Sequence, residues 1–511
     1  MNGAESLIKT LVKNNVNVCF ANPGTSEMHF VAALDAVPQM RGVLGLFEGV
    51  CSGAADAYYR MTGKPACTLM HCGPGMANGI ANLHNAWRAQ SGMVNIVGDH
   101  ASFHLQHDAP LTTDIVSLAK PFSGWIRSSA SASAISQDAA DAITVARGMP
   151  GQIATLILPA DTAWTEASGE LIESKDPVSP QFSEARALEI AGLLENDGPT
   201  LLLLSGLAAI NEGLELASRI AEKTGAQLMT NRPTARLQRG AGRPVLDALA
   251  YPVPDALKQL GSFKTIILVG TEEPVSFFGY PNSPSRLAPE GAKVVQLASA
   301  DENVLAALEY LAEELDAQTS GERYKLALPD LPYGDLTLDK VFQSVAALMP
   351  DETIMVNEAI TSFRGAALAT ARPHDVLQGT GGAIGHGLPE SVGAAVACPD
   401  RKVLCLQADG SAMYTIQGLW SMARENLDVV TVLFNNRAYR ILQGEMTKVG
   451  AMKKGQTADQ LLNLDNPVLD FVSIAQGMGV EASRALSADA FNDQLAAALT
   501  KQGPHLIEIM V

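Results

Sequence analysis

Short apolar runs alternate with longer helical stretches from one end of the chain to the other. Residues 5–14 read as a helix and residues 16–21 as a strand, and Asn22-Pro23-Gly24-Thr25 is a turn that opens another helix. Apolar runs at 200–204, 265–269 and 293–297 repeat the pattern, with a helix predicted over 211–224. Further short strands are predicted at 403–406 and 429–434, and a terminal one at 505–510. Strand, crossover helix and strand in succession predict parallel sheets. Polar, proline-bearing stretches at 166–181 and 318–337 read as linkers. The expected fold is α/β, three consecutive α/β domains with central parallel sheets, over residues 1–168, 182–320 and 338–511.

Length agrees, since 511 residues at roughly 150 per domain gives about three. Hydrophobic residues at 47% and charged residues at 18% predict a chain that folds throughout. A formal charge of -18 argues against nucleic acid and anionic membrane as partners. A small anionic ligand would then need local neutralisation, by a metal ion or a helix N-terminus. The six cysteines show no paired metal-ligand spacing and read as reduced, buried thiols. The N-terminus lacks a basic segment followed by an apolar one, and no apolar run reaches the ~18 residues of a membrane span, so a cytoplasmic protein is expected.

Chemistry enters with the third unit. The strand from Val403 runs into Ala408-Asp409-Gly410-Ser411, and the strand from Val429 runs into Asn435-Asn436. In a parallel sheet the carboxyl ends of the strands share one edge, where Asp409 and Asn436 can meet. A carboxylate and an amide oxygen suit Mg²⁺, which takes oxygen ligands and seldom a full protein cage. Each piece alone reads as a turn. Together, with 24 residues between Gly410 and Asn435 and a strand leading into each, they point to a metal site.

This pair resembles the G-D-G…N-N motif of thiamine diphosphate (ThDP)-dependent enzymes, with Ala408 in place of the first glycine. The resemblance implies ThDP and Mg²⁺ as cofactors. Asp409, the Asn436 side chain and the Ala438 carbonyl would hold the metal, and Gly410, Ser411 and Tyr414 would meet the diphosphate, with Thr361 and Tyr439 also at the cofactor. The run from Gly381 to Pro389 resembles the cofactor-lining segment of the family. There the Gly382 carbonyl would accept from the aminopyrimidine, and Ile384 would wedge between the two rings.

Near the N-terminus, Leu46-Phe47-Glu48-Gly49-Val50 precedes a helix of small residues, as around the family's activating glutamate. Glu48 would bond the pyrimidine N1′. Many relatives carry His immediately before this position, where this chain has Phe47. Asn22 to Glu27 is similar to the N-P-G-S loop of benzoylformate decarboxylase, with Thr25 at the hydroxyl position, and His71 matches a histidine ending an early strand. Read without the resemblance, the loop is a turn with a helix cap and His71 a structural residue. Leu111, Phe278, Ile441 and Leu442 are expected to shape the substrate pocket. Ser276 to Phe278 lacks the arginine and histidine of benzoylformate decarboxylase, so benzoylformate itself is not the expected substrate. His100, His104 and His107 fall in a predicted loop and are not read as a metal site.

The resemblance spans nearly the whole chain and implies a pyrimidine-binding domain, a central Rossmann-like domain and a diphosphate-binding domain. It further implies a homodimer or homotetramer with active sites between subunits. The expected reaction is decarboxylation of a small 2-oxo acid through a C2 carbanion adduct and an enamine. Alternatives are an acetolactate synthase-like transferase joining two 2-oxo acids and a catalytically silent binding protein, the latter opposed by intact Glu48, Asp409 and Asn436. No flavin fingerprint appears in the central unit, which makes FAD doubtful.

Overall fold

The computed structural model describes residues 1–196, 198–451 and 455–511. The chain is carried on three sheets. The first has six parallel strands in the order Arg41–Leu44, Val18–Asn22, Ala66–Met70, Met93–Asp99, Ile153–Pro159 and Trp125–Ser128. The second has five, Asp247–Ala248, Gln227–Thr230, Thr200–Leu204, Thr265–Val269 and Lys293–Ala298. The third has seven, Glu481–Ala485, His505–Met510, Val429–Asn435, Val403–Ala408, Thr353–Glu358, His374–Gln378 and Arg236–Arg239. Ala66–Met70, Thr265–Val269 and Val429–Asn435 are buried at every residue, as strands covered by helices on both faces must be. The three-sheet α/β architecture read from the sequence is the one observed.

One strand leaves its neighbourhood. Arg236–Arg239, from the stretch between the other strands of the second sheet, pairs antiparallel with His374–Gln378 at the edge of the third. Arg236 Nε meets Asp375 Oδ1 at 2.8 Å, so the edge is held by charge as well as by its ladder.

In the first sheet the chain passes from Val18–Asn22 to Arg41–Leu44 on one side and then to Ala66–Met70 on the other. In the third it likewise leaves Thr353–Glu358 for His374–Gln378 and returns to Val403–Ala408. At such reversals a crevice opens beyond the carboxyl ends of the strands, the usual place for a ligand in this kind of sheet.

The outer sheets are joined through helix Glu48–Thr62 and helix Gly387–Ala397, which pack closely enough that a Cβ on Gly393 would lie 1.9 Å from the Ala54 carbonyl oxygen. A buried charge chain crosses this contact. Asp56 pairs with Arg60, Arg60 Nη1 lies 3.3 Å from Glu390 Oε1, and His386 Nδ1 lies 3.2 Å from the same oxygen. Among the described residues no helix is long and apolar enough to cross a membrane.

Candidate active site

The crevice of the first sheet is built around an acid and a histidine. After strand Val18–Asn22 the chain turns through Pro23 and Gly24 into one turn, Thr25–Glu27, whose last residue points inward. Glu27 Oε2 accepts from the Gly24 N–H at 2.7 Å and lies 2.7 Å from His71 Nδ1, at the end of strand Ala66–Met70. The space is made by glycines: a Cβ on Gly24 would sit 2.3 Å from the His71 ring, and one on Gly98 would sit 1.6 Å from Glu27 Oε1. Glu27 Oε1 is buried without a hydrogen-bond partner. Burial therefore holds the Glu27 carboxyl above its ordinary range, although the Gly24 N–H and His71 pull it back.

Cys72 closes this group, with φ of 49° and its sulfur 3.5 Å from Ser26 Oγ. Ligand atoms of Glu27, His71 and Cys72 lie within 4.8 Å of one another. Burial raises the Cys72 thiol to about 11. The Glu27–His71 contact is a hydrogen bond, and the Cys72 thiol lies beside it.

Glu48 is the first residue of helix Glu48–Thr62, and its Oε2 accepts from Asn78 Nδ2 at 3.0 Å. Thr25 is exposed at the mouth of the crevice. The loop after Leu111 comes alongside, since a Cβ on Gly73 would meet Thr113 at 2.3 Å. His100, His104 and His107 form a ladder of rings with centroids 5.5 and 5.7 Å apart and are not among the described groups close enough to hold an ion.

The crevice of the third sheet holds the second cluster. Asp409 begins a single helical turn after strand Val403–Ala408 and is 1% exposed. Its Oδ1 accepts from Gly410 N at 2.8 Å, and its Oδ2 accepts from Asn436 N at 3.1 Å and Arg437 N at 2.6 Å. The sequence expectation that Asp409 and Asn436 meet at this edge is realised. Asn436 Oδ1 accepts from Ala438 N at 3.0 Å, which bends the loop around the carboxylate. Burial raises the Asp409 carboxyl, while the surrounding N–H groups lower it. No lysine or arginine side chain among the described residues pairs with it.

The Tyr439 ring packs on Gly410, and Tyr414 packs on Gly385, with its neighbour Thr415 donating to the Gly385 carbonyl at 2.8 Å. Ser411 faces inward: its Oγ accepts from Gln407 Nε2 at 2.7 Å and reaches the Ala408 carbonyl at 3.2 Å. Gly382 has φ of 77° and Ile384 is half-buried beside it. Thr361 lies in a turn after strand Thr353–Glu358.

Phe277, rather than Phe278, sits on Gly382, with the Phe278 ring 5.0 Å from it. Tyr280 donates to Glu445 at 2.8 Å and so ties this aromatic loop to helix Arg440–Lys448, which carries Ile441 and Leu442. Thr25, His71, Leu111 and Glu48 thus form one set, and the Asp409, Gly382 and Phe278 group forms another. No hydrogen bond or ion pair among the described residues joins Glu48 or His71 to Asp409 or Asn436. Glu27 was passed over in the sequence because its partner lies 44 positions away; the available signal was an acid just inside a turn at a strand's carboxyl end.

Among the described residues the buried Asp409 carboxylate has no countercharge, so its donor set fits a hard cation that brings phosphate oxygens with it. Fold and site define an enzyme that works with a bound phosphorylated cofactor. Comparison with known proteins agrees: residues 1–118 match the thiamine pyrophosphate enzyme N-terminal TPP binding domain, and residues 361–509 match the C-terminal TPP binding domain. A putative acetolactate synthase large subunit, IlvX, of Mycobacterium tuberculosis is 49% identical, covering 100% of this chain and 99% of its own. Benzoylformate decarboxylase of Pseudomonas aeruginosa is 29% identical over 98% of this chain and 97% of its own. Among solved structures, the 4-hydroxybenzoylformate decarboxylase of Rhodococcus jostii RHA1 superposes with a TM-score of 0.86 at 25% identity, covering 100% of this chain and 99% of its own. The chain belongs to the thiamine pyrophosphate enzyme family.

Proposed function

We propose that this enzyme is a Mg²⁺-dependent carbon–carbon lyase that decarboxylates a small 2-oxo acid. Bound ThDP supplies a carbanionic carbon and an electron sink. Asp409, the Asn436 side chain and the Ala438 carbonyl would hold Mg²⁺, and the Ser411 N–H, Gly410 and Tyr414 would receive the diphosphate. The Gly382 carbonyl would orient the aminopyrimidine, Ile384 would keep the rings bent, and Glu48 would hold a proton at N1′. Thr361 and Tyr439 flank this site, and Leu111, Phe278, Ile441 and Leu442 bound the space left for substrate.

The observation that carries the lyase reading is the Glu27–His71 pair. After CO₂ leaves, the remaining carbon must take up a proton, and an imidazole with one nitrogen fixed by a buried acid can deliver it from the other. A second reading, transfer of that carbon to another 2-oxo acid, is favoured by the likeness to the putative acetolactate synthase large subunit. Both readings use the same cofactor residues and a homodimer or homotetramer.

CO₂ release from a panel of aliphatic and aromatic 2-oxo acids, with ThDP and Mg²⁺, tests the proposal. The lyase reading expects one aldehyde per CO₂; a hydroxyketone product would replace it with transfer, and no CO₂ from any acid would reject both. Asp409→Ala should weaken Mg²⁺-dependent ThDP binding by about 100-fold or more, and unchanged binding by calorimetry would remove Asp409 from the metal site.

A further inference from the structure

Strand Thr353–Glu358 ends at the reversal point of the third sheet in a carboxylate that is 3% exposed. Glu358 Oε1 accepts from the N–H groups of Gly385 at 2.6 Å and His386 at 3.3 Å, and Oε2 accepts from Gly387 N at 2.8 Å. Gly387 is the first residue of helix Gly387–Ala397, so this carboxylate fills the anion position that a helix N-terminus offers. A phosphate cannot also be received there. The diphosphate is left to the Asp409 turn, where an acidic residue makes a cation necessary.

The same carboxylate reaches the other half of the site. Gln407 Nε2 donates to Glu358 Oε2 at 2.9 Å and to Ser411 Oγ at 2.7 Å. Gln407 is completely buried, and there is no spare room around it: a Cβ on Gly387 would lie 2.4 Å from Gln407 Oε1 and 2.9 Å from Glu358 Oε2. One carboxylate and one carboxamide therefore tie the glycine segment after Gly381 to the turn Asp409–Ser411. Charge-assisted bonds from several backbone N–H groups are among the stronger ones, and in a dry interior they hold geometry well.

We propose that Glu358 and Gln407 are positioning residues that fix the separation between the ring-binding segment, Gly382–Ile384, and the diphosphate-binding turn, Asp409–Ser411, before the cofactor arrives. The inference rests on the reading above that these two segments hold ThDP. A ligand that spans both segments gains from their fixed separation, and a ligand that uses one does not. Neither residue touches the reacting atoms.

The test uses the full-length protein, with Glu358→Gln and Gln407→Met as independent variants. Affinities for ThDP and for inorganic pyrophosphate are measured by calorimetry at saturating Mg²⁺, beside the melting temperature without cofactor. The expected result is a ThDP dissociation constant raised about 10-fold or more in at least Gln407→Met, with pyrophosphate affinity changed by less than about 3-fold. Equal loss for both ligands would mean that the pair merely supports the diphosphate turn, and an unchanged ThDP constant would mean that it positions nothing; either overturns the proposal. Should Glu358→Gln fail to fold, Gln407→Met decides alone, because it removes the link to Ser411 and leaves the helix N-terminus capped. Wild-type protein that binds pyrophosphate but not ThDP would instead reject the cofactor reading on which the proposal stands.

Discussion

The Glu27 carboxyl lies above the range of an exposed glutamate because it is buried, and its ionised form is the one that keeps a proton on His71 Nδ1. As pH falls through that raised value Glu27 is protonated and loses the negative charge that holds the Nδ1 proton. Decarboxylation should therefore fall off on an acid limb above pH 4.5, the ordinary glutamate value. In Glu27→Gln that limb should disappear and kcat/KM should drop about 10- to 100-fold; an acid limb that survives the substitution would detach Glu27 from catalysis. Asp409 and Asn436 were legible in the sequence because each follows an apolar run that reads as a strand, and parallel strands bring their carboxyl ends to one edge. Glu27 and Glu358 were not legible. Their partners lie 44 and 27 positions away, and such pairing is set by how crossovers place strands side by side.

Two helices join the outer sheets, and their contact has no slack at Gly393, where any side chain would run into the Ala54 carbonyl. Gly393→Val should destabilise the protein by about 3 kcal/mol, read from the urea midpoint, since neither backbone can yield without breaking its own helix. His386 sits at the same junction, facing Glu358, Glu390 and Arg60. Burial alone would lower its pKa, but the two carboxylates outweigh burial and lift it to about 9. A histidine raised in the folded state stabilises fully below its unfolded pKa, about 6.5, and the gain is lost as pH rises through 9. Melting temperature should decline across that window, for a loss on the order of 3 kcal/mol, and His386→Gln should flatten the decline.

Elements with a clear apolar pattern were legible to the residue: strands Thr200–Leu204, Thr265–Val269 and His505–Met510, and the amphipathic helix Asn211–Thr224. Strand Arg236–Arg239 was invisible, because its flanking arginines are held by partners elsewhere, Arg236 by Asp375, rather than by an apolar face of its own. The opening helix starts at Gly3 rather than at residue 5, since Asn2 caps it by accepting from Glu5 N–H, a bond that the apolar pattern does not encode.

At the scale of the whole molecule, one chain carries an acid and a histidine in one crevice and the Asp409 turn in another, and among the described residues no hydrogen bond or ion pair joins Glu27 or His71 to that turn. Apolar groups stand exposed beside both, Leu46 at 48% near Glu48 and Tyr414 at 53% near Asp409. In the proposed homodimer or homotetramer, with active sites between subunits, the first crevice of each chain would face the second crevice of a partner, with these side chains covered between them. The most direct test mixes two inert chains, Glu48→Gln and Asp409→Ala, by refolding them together with ThDP and Mg²⁺. The readout is proton–deuterium exchange at C2 of the bound cofactor. If the site is shared between chains, each mixed dimer holds one intact site, and exchange should return to about one quarter of the wild-type level. If mixed dimers form and exchange stays at the level of the separate variants, the site lies within one chain and the shared-site account is wrong.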